Sequence, residues 1–259
     1  MKTPFLVVAL SFVLLAAIFF FIKLPAILGE EVRKDSYWSV LRNKKLRFGA
    51  IAIFVYVGAE VAIASGFLLF AKDYLGIESL KSSIVVSDWL IPLGELSAWL
   101  KGQSLASMDS LTLVGSLVAL YWGGAMIGRF LGSFLMARFQ PTRLLTGAAL
   151  GAILMLEFSF RSDVPIAAYM FLIAIGFFNS IMFPTIFTLA IEDLGEAKPL
   201  GSGVLCTAIV GGAFIPLLFG GLIDTAGFGA AYFLPAICYG FIAWYAGWLV
   251  PAKTAAGKG

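Results

Sequence analysis

The stretch Phe48 to Ala71, FGAIAIFVYVGAEVAIASGFLLFA, decides how the rest of the chain is read. It runs for 24 residues with Tyr56 and Glu60 as its only ionisable side chains. As a helix rising about 1.5 Å per residue it reaches about 36 Å, enough to cross a hydrocarbon core of about 30 Å with some tilt. Glu60 falls near its middle, where insertion scales put a charged side chain at about 3 kcal/mol, so an acid there needs a partner, a proton or a wet cavity. Tyr56 lies four positions earlier on the same helical face, and Gly49, Gly58 and Gly66 offer places for close helix approach. Glu60 reads either as a group facing a substrate cavity or as a structural acid that stays protonated and bonds a backbone carbonyl. The first is preferred, because intramembrane acids usually face the interior of a bundle.

Composition agrees with this reading along the whole chain. With 61% hydrophobic and 13% charged residues, 24 Phe and a mean hydropathy of +0.98, the chain is an all-α integral membrane protein. Its apolar runs are long and continuous, unlike the short alternating segments of a β-barrel. The net charge of +3 is small and the 18 Lys and Arg sit mainly between the runs, so no nucleic-acid surface is implied. Histidine is absent, which removes the Ser-His-Asp triad, the HExxH zinc helix and histidine-held haem, and no metal, cofactor or enzyme activity is expected. Cys206 and Cys238 fall inside apolar runs and read as small membrane-core residues.

Seven spans are expected. The first is Pro4 to Leu28, within a segment 1–28, whose apolar run is too long for a signal peptide. A basic loop, 29–47, follows with Arg33, Lys34, Arg42, Lys44, Lys45 and Arg47, and is cytoplasmic by the positive-inside rule. The Glu60 span then runs outward to Lys72 and a long external loop, 73–109. Within that loop IVVSDWLIPLGELSAWL, Ile84 to Leu100, is interrupted by Asp88, Pro92 and Glu95 and reads as an interfacial or re-entrant segment. The third span covers Ser110 to Ala137, where Gly124, Gly128 and Gly132 line one face; Pro141-Thr142-Arg143 reads as a tight basic turn, and the fourth span follows it to about Phe160. In the fifth, Pro165 to Ile191, Pro184 removes a hydrogen bond and predicts a kink five residues after Asn179, with Thr185 and Thr188 available to freed carbonyls. The sixth, Leu200 to Ile223, is rich in Gly and carries Pro216. The seventh, Ala230 to Val250, ends before a tail, 251–259. Under this topology 12 Lys and Arg lie on the cytoplasmic side and 5 outside, with Arg129 within a span, a bias of the expected sign.

Spans two to four and five to seven compare as two triplets, each opening with a helix that has one polar residue near its centre, Glu60 or Asn179. Two triplets use six spans and leave the first without a counterpart, which suggests a chain that begins inside a longer transporter. Four segments, YVGAEV at Tyr56 to Val61, YWGGAMIGRF at Tyr121 to Phe130, FFNSIMFPTIFTLAI at Phe177 to Ile191 and GSGVLCTAIVGGAFIPLLFG at Gly201 to Gly220, carry a likeness. Together they resemble the fucose permease and glucose/galactose transporter family of the major facilitator superfamily. The resemblance covers about residues 44 to 250 and implies seven transmembrane helices corresponding to helices 6–12 of such a transporter, in the cell inner (plasma) membrane. The segment 48–250 would be its six-helix C-terminal bundle. It further implies a monosaccharide substrate, proton symport, and a missing N-terminal half, helices 1–5, supplied in cis or as a partner.

In that family the opening helices of each triplet line the cavity, so Tyr56, Glu60 and Asn179 are the expected sugar contacts, with Phe178 able to stack on a pyranose ring. The stretch GRF…ARFQPTR resembles the superfamily's cytoplasmic-loop motif, with Arg129, Arg138 and Arg143 at its basic positions. Arg129 reads either as a conformational latch pairing with Glu192 or Asp193, or as a snorkelling arginine. Glu157 and Arg161, four apart, read as a local ion pair. Because the family's coupling acids lie in its N-terminal half, the alternative function is a truncated or non-transporting membrane subunit that packs against a partner half.

Overall fold

The computed structural model describes residues 10–15, 17–18, 37–86, 91–100, 102, 104 and 107–249. The chain divides into two units, Met1–Ser36 and Tyr37–Gly259. In the first, residues 10–15 and 17–18 are helical and exposed. The rest of the expected first span, the basic residues up to Ser36 and the tail 251–259 lie outside the described residues.

The second unit is helical, with no strand among the described residues. Its helices are α1 (Lys44–Leu69), α2 (Ile77–Val86), α3 (Ile91–Leu100), α4 (Ser110–Ser116), α5 (Val118–Met136), α6 (Pro141–Arg161) and α7 (Pro165–Asn179). They continue with α8 (Met182–Ile191), α9 (Lys198–Ala208), α10 (Gly211–Ala231) and α11 (Phe233–Trp244). Asn43 starts α1: its side-chain oxygen accepts from the Leu46 amide at 3.2 Å, satisfying one of the first-turn donors that an α-helix leaves unpaired. Asp109 caps α4 in the same way through the Thr112 amide.

α1 is the central element, and its glycines explain why. A Cβ on Gly49 would meet Ala190 of α8, one on Gly58 would meet Ile215 of α10, and one on Gly66 would meet the Phe219 ring. Gly211 lets α10 come close enough that a Cβ there would strike the Phe54 backbone carbonyl. In a bilayer, where lipid tails are as apolar as leucine, such backbone approach replaces the hydrophobic drive between helices. The order of these contacts makes α1 parallel to α10 and antiparallel to α8. Gly124, Gly128 and Gly132 do line one face, as expected, and that face lies along Phe177 to Ile181.

The expected spans are modified in three places. Spans five and six are each broken in two, at Ser180–Ile181 and at Ile209–Val210. The first break is adjacent to Pro184, which lacks the amide hydrogen that would bond the Ser180 carbonyl. Thr185 and Thr188 instead donate to the Ile181 and Pro184 carbonyls, at 2.6 and 2.8 Å. Secondly, the connection read as a loop over 73–109 is largely helical. A π-helical turn, Phe70–Gly76, carries α1 on into α2, Leu80 and Ile84 are fully buried, and α3 follows. Ser110 and Lys81 fasten this region, donating to Glu78 Oε1 at 2.8 Å and to the Met108 carbonyl at 2.9 Å.

Thirdly, among the described residues four continuous helical stretches are long and apolar enough to cross a membrane: Lys44–Ile84, Ser110–Met136, Pro141–Arg161 and Pro165–Ala231. The last doubles back through Glu192–Ala197, where Gly195 takes φ 49°, so the described chain still passes the bundle six times. Phe233–Leu249 is apolar but shorter.

The glycine contacts predict that Gly211→Ala forces α1 and α10 apart and costs about 1–3 kcal/mol of stability. Gly220→Ala, with open space around the new Cβ, leaves stability unchanged or slightly raised. Thermal unfolding of the two variants in the same detergent checks the contrast.

Candidate functional site

Tyr56 and Glu60 stand one turn apart on α1, and the geometry of both follows from that spacing. The Tyr56 hydroxyl lies 2.9 Å from Glu60 Oε1 and 3.0 Å from the backbone carbonyl oxygen of Asn179, the last residue of α7. Tyr56 is buried at 3% exposure, whereas Glu60 is only half-buried and borders the exposed Val61. The acid is therefore presented at the edge of the packed bundle, with its tyrosine partner on the inside.

Asn179 is fully buried at 0% exposure. Its side-chain amide donates to the Tyr121 hydroxyl of α5 at 2.7 Å. Gly176 makes room for Tyr121: a Cβ there would meet the Tyr121 ring and carbonyl. The Tyr239 hydroxyl of α11, also fully buried, lies near this network, but neither it nor Asn179 Oδ1 has a hydrogen-bond partner among the described residues. Four elements thus meet through hydroxyl, amide and carboxyl groups: α1 (Tyr56, Glu60), α5 (Tyr121), α7 (Asn179) and α11 (Tyr239). Arg129, exposed on α5 two turns beyond Tyr121, is close enough for its charge to act on Glu60.

The expected site residues are only partly brought together. Tyr56, Glu60 and Asn179 share one network, but Asn179 stands behind Tyr56 and is committed to Tyr121, so it does not reach the open side of Glu60. Phe178 is turned away, its ring against Gly151 of α6. The ring beside Tyr56 is that of the half-buried Phe183, at 6.3 Å between centroids, itself stacked on Phe187 at 6.0 Å. Tyr121, Tyr239 and Phe183 are the residues that sequence reading missed. Tyrosines in mid-span, each with a hydroxyl that must find a partner away from water, were the available signal.

The basic and acidic residues expected to form a latch are distributed differently as well. Asp193 pairs with Lys45 at the start of α1, not with Arg129. The Lys45 carbonyl also accepts from the Tyr245 hydroxyl at 3.3 Å, which joins α1 and the end of the last helix at the same edge. Arg138 lies over the Phe134 ring at 4.9 Å, a cation–π contact, and Arg143 borders a groove formed by α5, α6 and the Ser180–Ile181 break. Glu192 opens the short 3-10 turn after α8. Glu157 and Arg161 do pair with each other, as their spacing suggests.

No protein-family model matches the chain. It is 38% identical over 249 residues to a glucose/galactose transporter of Brucella abortus, an alignment covering 94% of this chain and 52% of that protein. It is 35% identical over 250 residues to a putative glucose/galactose transporter of Helicobacter pylori, and 27% identical over 252 residues to the L-fucose-proton symporter of Escherichia coli. The alignments cover 95% and 93% of this chain. Among solved structures it resembles FucP, a major facilitator superfamily transporter, in the outward conformation, with a TM-score of 0.64 and 25% identity over 95% of this chain and 53% of that one. These relatives are named as transporters, not enzymes, and the chain spans about half the length of the curated relatives it matches. With four helices meeting at one polar network and homology along nearly all of its length, the chain belongs to the fucose permease and glucose/galactose transporter family of the major facilitator superfamily.

Proposed function

We propose that the chain is the C-terminal half of a twelve-helix transporter in a cell inner membrane. It moves a monosaccharide of the glucose, galactose or fucose type together with a proton as two bundles rock about a midplane site. Helices seven to twelve are α1, α4 with α5, α6, α7 with α8, α9 with α10, and α11. Helices one to five come from a half joined in cis or supplied as a partner. The names of the relatives support the substrate class, and the similarity to a fucose-proton symporter supports the coupling ion.

The observation that carries this reading is the position of Glu60. A carboxyl group near the middle of the apolar run Phe48–Ala71 is half-buried at the edge of the bundle, where it can meet water, a sugar hydroxyl or the other half. Tyr56 fixes its orientation from behind. Phe183 offers the flat apolar surface that a pyranose ring stacks on, the part first given to Phe178. Asn179 acts through Tyr56 and Tyr121 rather than by touching the sugar. Lys45 and Asp193 close the inner edge of this half, with Arg138 on the neighbouring turn between α5 and α6 and Arg143 in the first turn of α6.

Two outcomes follow for the chain assembled with its other half. Glu60→Ala weakens binding of the transported hexose or fucose by about ten-fold or more, the equivalent of one charge-assisted hydrogen bond. Counterflow with a panel of radiolabelled sugars measures this, and unchanged affinity removes Glu60 from the site. Tyr121→Phe leaves the buried Asn179 amide without its acceptor and costs about 1–3 kcal/mol in unfolding stability. A loss of sugar affinity without a loss of stability would instead make Tyr121 a direct contact.

A further inference from the structure

A phenolic hydroxyl carries one hydrogen, and Tyr56 lies within hydrogen-bonding distance of two acceptors, Glu60 Oε1 at 2.9 Å and the Asn179 carbonyl oxygen at 3.0 Å. If Glu60 is ionised, its carboxylate and the Asn179 carbonyl compete for that single hydrogen, and the carbonyl goes without whenever the carboxylate takes it. If Glu60 carries a proton, the count closes: the carboxyl O–H donates to the Tyr56 oxygen, and the Tyr56 O–H donates to the Asn179 carbonyl. Leaving a buried acceptor unpaired is costly, so the two protonation states of Glu60 correspond to two different bonding states of Asn179.

The position of that carbonyl gives the difference a mechanical consequence. Asn179 ends α7, directly before the Ser180–Ile181 break and the proline-bearing start of α8. The Gly128 and Gly132 face of α5 lies against Ser180 and Ile181 themselves, while Tyr121 of α5 holds the Asn179 side chain and leaves its backbone carbonyl to Tyr56. Tyr56 is a hydrogen-bonded tie between α1 and this junction.

We propose that Glu60 is a proton-binding site and that its protonation is relayed through Tyr56 to the α7–α8 break. Protonation completes the chain Glu60 to Tyr56 to Asn179 and fastens the break to α1. When the proton leaves Glu60 to the open face of the bundle, the Tyr56 hydrogen turns to the carboxylate and the Asn179 carbonyl is released. The titratable groups facing Glu60 are Tyr56 on its own helix, Tyr121 and Arg129 from α5, and Tyr239 from α11. Of the other elements packed on α1, α8 has no titratable residue, α7 brings Tyr169 against Phe67, α9 carries Lys198 at its start and Cys206, α10 carries Asp224, α11 carries Cys238, and Tyr245 bonds the Lys45 carbonyl at the far end of α1. This deepens the symport reading above and rests on it for its biological meaning, although the relay itself is testable without transport.

The sequence makes the test direct, because Asn43 and Asn179 are its only asparagines. Backbone carbonyl 13C labelling through asparagine, in an Asn43→Ser background, isolates the Asn179 carbonyl in infrared difference spectra of the membrane-reconstituted protein. Across the pH range in which the protein stays folded, a protonated-carboxyl band should titrate and the labelled carbonyl band should shift with the same midpoint. Glu60→Gln should abolish both responses, whereas Tyr56→Phe should keep the carboxyl titration and lose the carbonyl shift. A carbonyl band that does not move in the parent protein overturns the relay, as does a shift that survives Tyr56→Phe. Failed sugar counterflow with both spectral responses intact would overturn the transport reading alone.

Discussion

The tie on which the rest depends is the Tyr56 hydroxyl held between the Glu60 carboxyl group and the Asn179 carbonyl. It joins a mid-helix acid to the end of α7, from two parts of the chain that are 123 residues apart. Neither acceptor sits comfortably in an apolar medium alone, since the cost of an unpaired polar group there exceeds what the same group would lose in water. Sharing one buried tyrosine lets both be present in the same few ångströms. Tyr121 extends that arrangement to α5 through the Asn179 side chain, and the Tyr239 hydroxyl of α11 is buried nearby.

What brings those groups within reach is the absence of side chains elsewhere. Gly58 and Gly211 let α1 and α10 approach until Ile215 and the Phe54 backbone are in contact, and Gly176 admits the Tyr121 ring beside α7. At the opposite end from Lys45, rings take over from glycines. Phe70, Tyr74, Phe160, Phe228 and Tyr232 pack edge-on or stacked, with centroids 4.7–6.4 Å apart, where α1, α6 and α10 converge. The acid lies between these two regimes, one backbone-to-backbone and one aromatic, and at the edge of both.

Much of this was legible in the sequence because polar residues in an apolar run are few enough to matter singly. Glu60 and Tyr56 were recognisable as a pair from their spacing of four, and the Gly124, Gly128 and Gly132 face from its repeat. The rotation of Asn179 was not, since a helix apolar all round has no polar stripe to show which side faces inward. The expectation for Phe178 rests on its place next to Asn179, but successive residues on a helix point to different sides, and its ring turns to Gly151 while Phe183, beyond the break, lies beside Tyr56. The pairing of Asp193 with Lys45 instead of Arg129 needed the antiparallel packing of α1 and α8, which no local pattern reveals. The residues 73–109 looked like a loop because charges and Pro92 interrupt them, yet short helices with one buried side, such as that carrying Leu80 and Ile84, tolerate charges on the other.

The central claim, that Glu60 looks onto a water-accessible hollow while Asn179 supports it from within, is tested most directly by thiol accessibility in the assembled membrane protein. With Cys206 and Cys238 replaced, a Glu60→Cys variant should react with a membrane-impermeant thiol reagent and be protected by the transported sugar. An Asn179→Cys variant should remain unreactive under the same conditions. An inert cysteine at position 60, or one at position 179 that reacts as fast, would contradict the account.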